Sequence, residues 1–129
     1  MKKIILGVFL LLVTGMGAFA DTADEVNAAV KEGSAQKISA FFNSSVDLKI
    51  LEQEGVYSKS QAELIVKDFF AKHTVKSYSV VHKSIIKGNS QYIIGTLITS
   101  QGKYRLYILL DKLNNKFFIQ QFHIDLEDN

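Results

Sequence analysis

The sequence predicts an α+β fold in which helices pack on a mainly antiparallel sheet, and two patterns carry that prediction. Between Ala62 and Phe70 the apolar residues recur at helical spacing, whereas from Lys76 to Leu126 they alternate with polar residues in four runs. The breaks between those runs, Gly88-Asn89, Gln101-Gly102 and Asn114-Asn115, are each short enough to close a hairpin.

The first twenty residues read as an address. Lys2 and Lys3 form a basic start, Ile4 to Val13 form an apolar run, and Ala18-Phe19-Ala20 places small residues where signal peptidase cuts. This layout predicts a secretory signal peptide over 1–20, cleaved after Ala20, and an exported chain, periplasmic or secreted, whose single domain spans 21–129. The apolar run is shorter than the roughly 20 residues a membrane span needs, so no span is expected once the signal is removed. There is no cysteine, which excludes both disulfides and a lipidated N-terminal Cys.

Residues 21–33 predict a helix. Asp21, Asp24 and Glu25 put negative charge at its start, Val26, Ala29 and Val30 form one apolar side, and Gly33 stops it. Ser34 caps a second, short helix in which Ala35, Ile38, Phe41 and Phe42 share a face, and Asn43-Ser44-Ser45 breaks it. Val46, Leu48 and Ile50 then alternate with Asp47 and Lys49 as a half-buried strand, and Gln53-Glu54-Gly55 turns the chain into a very short strand at Val56-Tyr57. Ser58 with Gln61, or Ser60 with Glu63, forms a capping box ahead of the apolar stripe Ala62, Ile65, Val66, Phe69 and Phe70. No His or acid stands nearby to activate either serine, so the stretch is a helix start rather than a nucleophile. The four strand runs follow: 76–87, 91–100, 104–113 and 117–126.

Two-residue loops fix a provisional register. One sheet face then carries the rows His82–Gly95–Ile108–Gln121, Val80–Leu97–Leu106–His123 and Tyr78–Thr99–Tyr104–Asp125, a map that a single bulge would alter. Its apolar centre ringed by Tyr78, His82, Tyr104, Gln121 and His123 is what a small-molecule pocket needs, although the same residues also suit a rim or a satisfied core. The opposite face carries Ile94, Ile98, Tyr107, Phe118 and Phe122, too apolar for water if helices cover only the first face. That composition predicts a symmetric homodimer; a tighter curl hiding the patch is the competing arrangement.

Charge excludes other partners. The net +2 depends on Lys2 and Lys3, and without the signal the bases equal the 13 acids. A neutral domain has no basic face for nucleic acid and no polybasic attraction to a membrane. His73, His82 and His123 are scattered and unaided by cysteine, so no metal site and no cofactor is expected, and His73 falls at the end of the third helix.

The element order resembles the nuclear-transport-factor-two-like (SnoaL-like) superfamily, a cone-shaped, cystatin-like α+β fold with a strongly curved sheet wrapped on a long helix. More narrowly, "GVYSKSQAELIVKDFF", "IIGTLITSQGKYRLYILL" and "FFIQQFHI" are similar to a family of small exported bacterial proteins of unknown function. The resemblance covers the whole of 21–129 and implies common dimerisation, while the superfamily hosts isomerases, dehydratases, cyclases and binders alike. The chain shows no obvious acid–His pair of the kind some of those enzymes use. Two non-catalytic readings lead: a module that dimerises or binds an envelope protein, and a carrier of a small apolar or amphipathic ligand. The alternative is a lyase or isomerase with His123 and Asp125 as acid–base groups.

Overall fold

Each helix begins on the cap its sequence offers. The structure, a computed structural model, describes residues 21–86 and 88–127; the expected signal peptide lies outside the described residues. Helix α1 (Thr22–Glu32) starts on Asp21, whose carboxylate accepts the Asp24 N–H at 2.8 Å, and ends on Gly33 at φ 70°. Helix α2 (Ala35–Ser39) starts on Ser34, which accepts the Lys37 N–H at 3.2 Å. Of the two candidate caps for α3 (Lys59–Lys72), Ser58 serves, accepting the Gln61 N–H at 3.3 Å. Ala62, Val66 and Phe69 of its stripe are buried, with Ile65 and Phe70 partly so.

The strands are β1 (Phe42–Ile50), β2 (Gln53–Ser58), β3 (Val75–Ile86), β4 (Ser90–Thr99), β5 (Gly102–Leu113) and β6 (Lys116–Leu126). They form one sheet in the order β2-β1-β6-β5-β4-β3, antiparallel except where β1 runs parallel to β6. Two boundaries differ from expectation. Phe42 and Asn43-Ser44-Ser45 belong to β1 rather than to a helix and its break, because Phe42 pairs with Ile119 and packs its ring edge-on to Phe122 at 5.9 Å. Gln53-Glu54-Gly55 is strand; the turn is Leu51-Glu52, since Ile50 pairs with Gln53.

The expected register is corrected at all three hairpins. Between β4 and β5 the loop is Ser100-Gln101, so Leu97 opposes Tyr104 and Gly95 opposes Leu106; pairing slides by two residues and the faces keep their identity. Between β5 and β6 the expected Leu113–Lys116 closure is found, but pairing shifts between Leu110↔Ile119 and Leu109↔Gln121. Gln120 is the extra residue. Beyond it every β6 side chain is on the opposite face from the one predicted, and Phe122 and Ile124 are fully buried. In β3 a further shift at Val81 separates Val80↔Gly95 from His82↔Ile94 and turns His82 away from the helices.

The three described helices cover one face only. Ala23, Val26, Ala29 and Val30 of α1 and Ile38 of α2 close over Ile93, Leu97, Leu106, Ile108, Ile119, Phe122 and Ile124. Gly95 has a specific reason to lack a side chain. A Cβ there would stand 2.4 Å from the Tyr78 ring, which lies across it with its hydroxyl donating to Asn27 of α1 at 3.2 Å. Burial holds that hydroxyl well above the ordinary tyrosine range, so it stays a donor.

Two predictions follow from these contacts. Gly95→Ala should cost about 1–3 kcal/mol by overpacking, read as a lower denaturation midpoint with an unchanged slope. Asp21→Ala should cost about 1 kcal/mol at neutral pH through loss of the cap. The Asp24 N–H holds the Asp21 carboxyl below its ordinary 3.8. The cap's contribution is therefore present above pH 3.8 and lost as pH falls below it, so wild type and variant should converge in acid.

Candidate functional site, the outer face of the sheet

The residues expected to line one pocket are divided by the sheet. Tyr78 and Tyr104 face the helices and are 8% and 5% exposed, whereas His82, Gln121 and His123 stand on the outer face. The bulges at Val81 and Gln120 cause the split, because each flips the strand beyond it. Of the residues expected on the second face, Ile94, Ile98, Tyr107 and Phe118 are there. Phe122 is not: it is 0% exposed in the core.

Among the described residues no helix covers the outer face. Its central row reads His82–Ile94–Tyr107–His123–Lys49–Glu54 across the six strands, and the next reads Ser84–Tyr92–Leu109–Gln121–Asp47–Val56. The β4 and β5 half is apolar, with the Tyr92 and Tyr107 rings stacked at 6.4 Å and 28°. Burial, together with Tyr107 beside it, raises the Tyr92 hydroxyl above its ordinary value.

The β6 and β1 half is polar, and several of its groups pair with one another. Lys49 Nζ reaches Asp125 Oδ1 at 2.6 Å, and that hydrogen bond raises the Lys49 pKa. Arg105 pairs with Glu127, which raises the Arg105 pKa in the same way. The His123 ring lies 3.3 Å from Asp47 Oδ1 at Nε2 and 3.2 Å from the Gln121 amide at Nδ1. With the Gln121 N–H donating to Nδ1, the proton of the neutral ring sits on Nε2 and points at Asp47.

The expected pairing of His123 with Asp125 therefore does not form. Asp125 is engaged by Lys49, and both ring nitrogens of His123 have protein partners, in Asp47 and Gln121. Among the described residues no group of three His, Cys, Asp or Glu is placed to hold a metal, and no helix is long and apolar enough to cross a membrane. His73 does end α3 as expected. Its Nδ1 is 2.7 Å from the Phe69 carbonyl and must carry the proton, while the ring stacks on Phe69 at 4.0 Å. The cross-strand ion pairs were missed in the sequence because they join β1 to β6 across more than seventy residues.

Helices on one face of a six-stranded mixed sheet, with the other face uncovered, define a small α+β module of the cone-shaped class. The model of the family described as domain of unknown function (DUF4783) matches residues 23–125, and the chain belongs to that family. A solved family member from Bacteroides uniformis ATCC 8492 is 32% identical, covers 84% of this chain and 100% of its own, and superposes with a TM-score of 0.80. Another from Bacteroides ovatus ATCC 8483 is 30% identical, with 81% and 94% covered and a TM-score of 0.77.

More distant structures share the fold alone. A domain of unknown function with a cystatin-like fold from Nostoc punctiforme PCC 73102 is 12% identical over 85% of this chain and 81% of its own, with a TM-score of 0.67. A putative calcium/calmodulin dependent protein kinase II association domain from Xanthomonas campestris is 16% identical over 88% and 92%, with a TM-score of 0.62. Among curated proteins none matches the chain. The nuclear-transport-factor-two-like, cystatin-like architecture is thus the fold of this protein.

The two histidines give a spectroscopic check of the geometry. Long-range ¹⁵N–¹H correlation should find opposite neutral tautomers, Nε2–H for His123 and Nδ1–H for His73. The same tautomer in both rings would overturn the hydrogen-bond assignment.

Proposed function

We propose that the protein is an exported, non-catalytic interaction module that acts as a homodimer, with the outer sheet face as its two-fold interface. The carrying observation is the uncovered band of Tyr92, Ile94, Ile98, Tyr107 and Leu109, continuous across β4 and β5. An apolar patch of this kind on a face without helices marks a protein contact.

A second copy is the occupant that the charges favour. Lys49–Asp125 and Arg105–Glu127 each hold opposite charges within the face, and His123 donates from Nε2 to Asp47. These two ion pairs compensate Lys49, Asp125, Arg105 and Glu127 beside the band, so two copies can bring their apolar bands together without leaving any of these four charges unpaired. Tyr107 lies at the centre of the band, where an aromatic anchor contributes most to binding. The satisfied ring of His123 supports a role in shaping this surface over a role in proton transfer.

Native mass spectrometry of the protein isolated from its own cell envelope tests the reading. The expected species is a dimer whose chains begin at Asp21, and a bare monomer would overturn it. Tyr107→Glu should weaken the dimer by about 30-fold or more while leaving the circular dichroism spectrum unchanged.

A further inference from the structure

An open cleft of about 710 Å³ lies at one end of the sheet, lined by Lys49, Leu51, Glu52, Tyr104, Asp125 and Leu126. Its volume is within the range of about 300–1,000 Å³ of small-molecule sites. It is built from the last residues of β1 and β6, the first residues of β5 and the turn between β1 and β2, and it is separate from the apolar band on β4 and β5.

Three observations point to a ligand. The first is Tyr104, which is 5% exposed and locked edge-on between Phe69 and His73, each with its ring centroid at 5.4 Å. Among the described residues its hydroxyl makes no hydrogen bond, and its oxygen opens on the cleft that the side chain lines. The side chain is rigid and its polar end is unused, which is the state of a preorganised ligand contact.

The second is Leu51, at φ 59° in the two-residue turn closed by Ile50 and Gln53. Only the first turn residue is left-handed, the pattern in which glycine is expected. A leucine there strains the backbone, and its side chain both packs against the core and forms part of the cleft floor. The third is charge. Lys49 and Asp125 neutralise one another at 2.6 Å, while Glu52 is exposed and makes no ion pair among the described residues. The cleft therefore carries one uncompensated negative charge over an apolar floor.

We infer that this cleft binds a small amphipathic cation, a protonated amine with an aliphatic or aromatic body. The body rests on Leu51 and Leu126, the ammonium group meets Glu52 beside Asp125, and the Tyr104 hydroxyl oxygen accepts one of its hydrogens. Neither catalysis nor the homodimer is required for this assignment.

Hexylammonium, hexanoate and hexanol serve as probes in ¹H–¹⁵N correlation spectra of residues 21–129. Hexylammonium should shift the amides of Leu51, Glu52, Tyr104 and Leu126 saturably, and hexanoate and hexanol should bind more weakly by about fivefold or more. Glu52→Gln should weaken hexylammonium by about two- to fivefold. Leu51→Gly relieves the strained turn while losing the packing of Leu51 on the core, so its spectrum away from the cleft should show the wild-type fold, yet its Kd should rise by about tenfold or more through loss of the apolar floor. The proposal is overturned by any of three results: no saturable shift at the cleft, an equal response to hexanoate, or wild-type affinity in Leu51→Gly. Translational diffusion measured on the same samples reports the oligomeric state separately, so failure of the dimer and failure of the cleft are distinguishable.

Discussion

The extra residue Gln120 in β6 decides which chemistry each side of the sheet can have. With it, Ile119, Phe122 and Ile124 all enter the core, and Gln121, His123 and Asp125 all leave it. Regular alternation from Ile119 would instead bury Gln121 and His123 and expose Phe122 and Ile124. Burying the two large apolar side chains is worth about 3–6 kcal/mol together, and each buried polar group without a partner costs about 1–3 kcal/mol. One disturbed ladder bond, worth about 0.5–1.5 kcal/mol, is small beside that sum. The side chain of Gln120 is also used, since its Oε1 accepts from Asn43 at 2.9 Å and ties the bulge to β1.

The same burial logic closes the interior. Tyr78 fills the space that Gly95 leaves and reaches α1 through Asn27, while Phe69 and His73 bracket Tyr104 under the end of α3. Those rings occupy the place where a pocket between sheet and helix was expected. Surface available for recognition therefore lies on the uncovered side of the sheet and at its rim. The two regions differ in kind: the outer face sets two ion pairs beside an apolar band, whereas the rim holds the Glu52 carboxylate, without an ion pair among the described residues, beside the Tyr104 hydroxyl.

Much of the architecture is legible in the sequence because its determinants are local. The caps at Ser34 and Ser58, the acidic start at Asp21, the stop at Gly33 and the stripe from Ala62 to Phe70 each involve residues within one or two helical turns. The hairpin at Asn114-Asn115 was equally readable, because both residues are left-handed there, at φ 52° and 64°, as asparagine permits. The adjacent pair Gln120-Gln121 was a visible but unused sign. Two polar residues in succession between Ile119 and Phe122 break a period of two, and only a bulge lets both flanking residues face the same core.

The sequence by itself determined the element order, the α+β class, the buried face of each helix and the sites of two caps and one tight turn. The tertiary structure alone decided the register of the hairpins, the faces of His82, Gln121, His123 and Phe122, the parallel contact of β1 with β6 and the cleft at the sheet's end. Helix caps and apolar periodicities are set by neighbours a few residues apart, so they can be read along the chain. A bulge is placed by the burial of every strand at once, and one inserted residue reverses all the side chains beyond it, which no local stretch encodes.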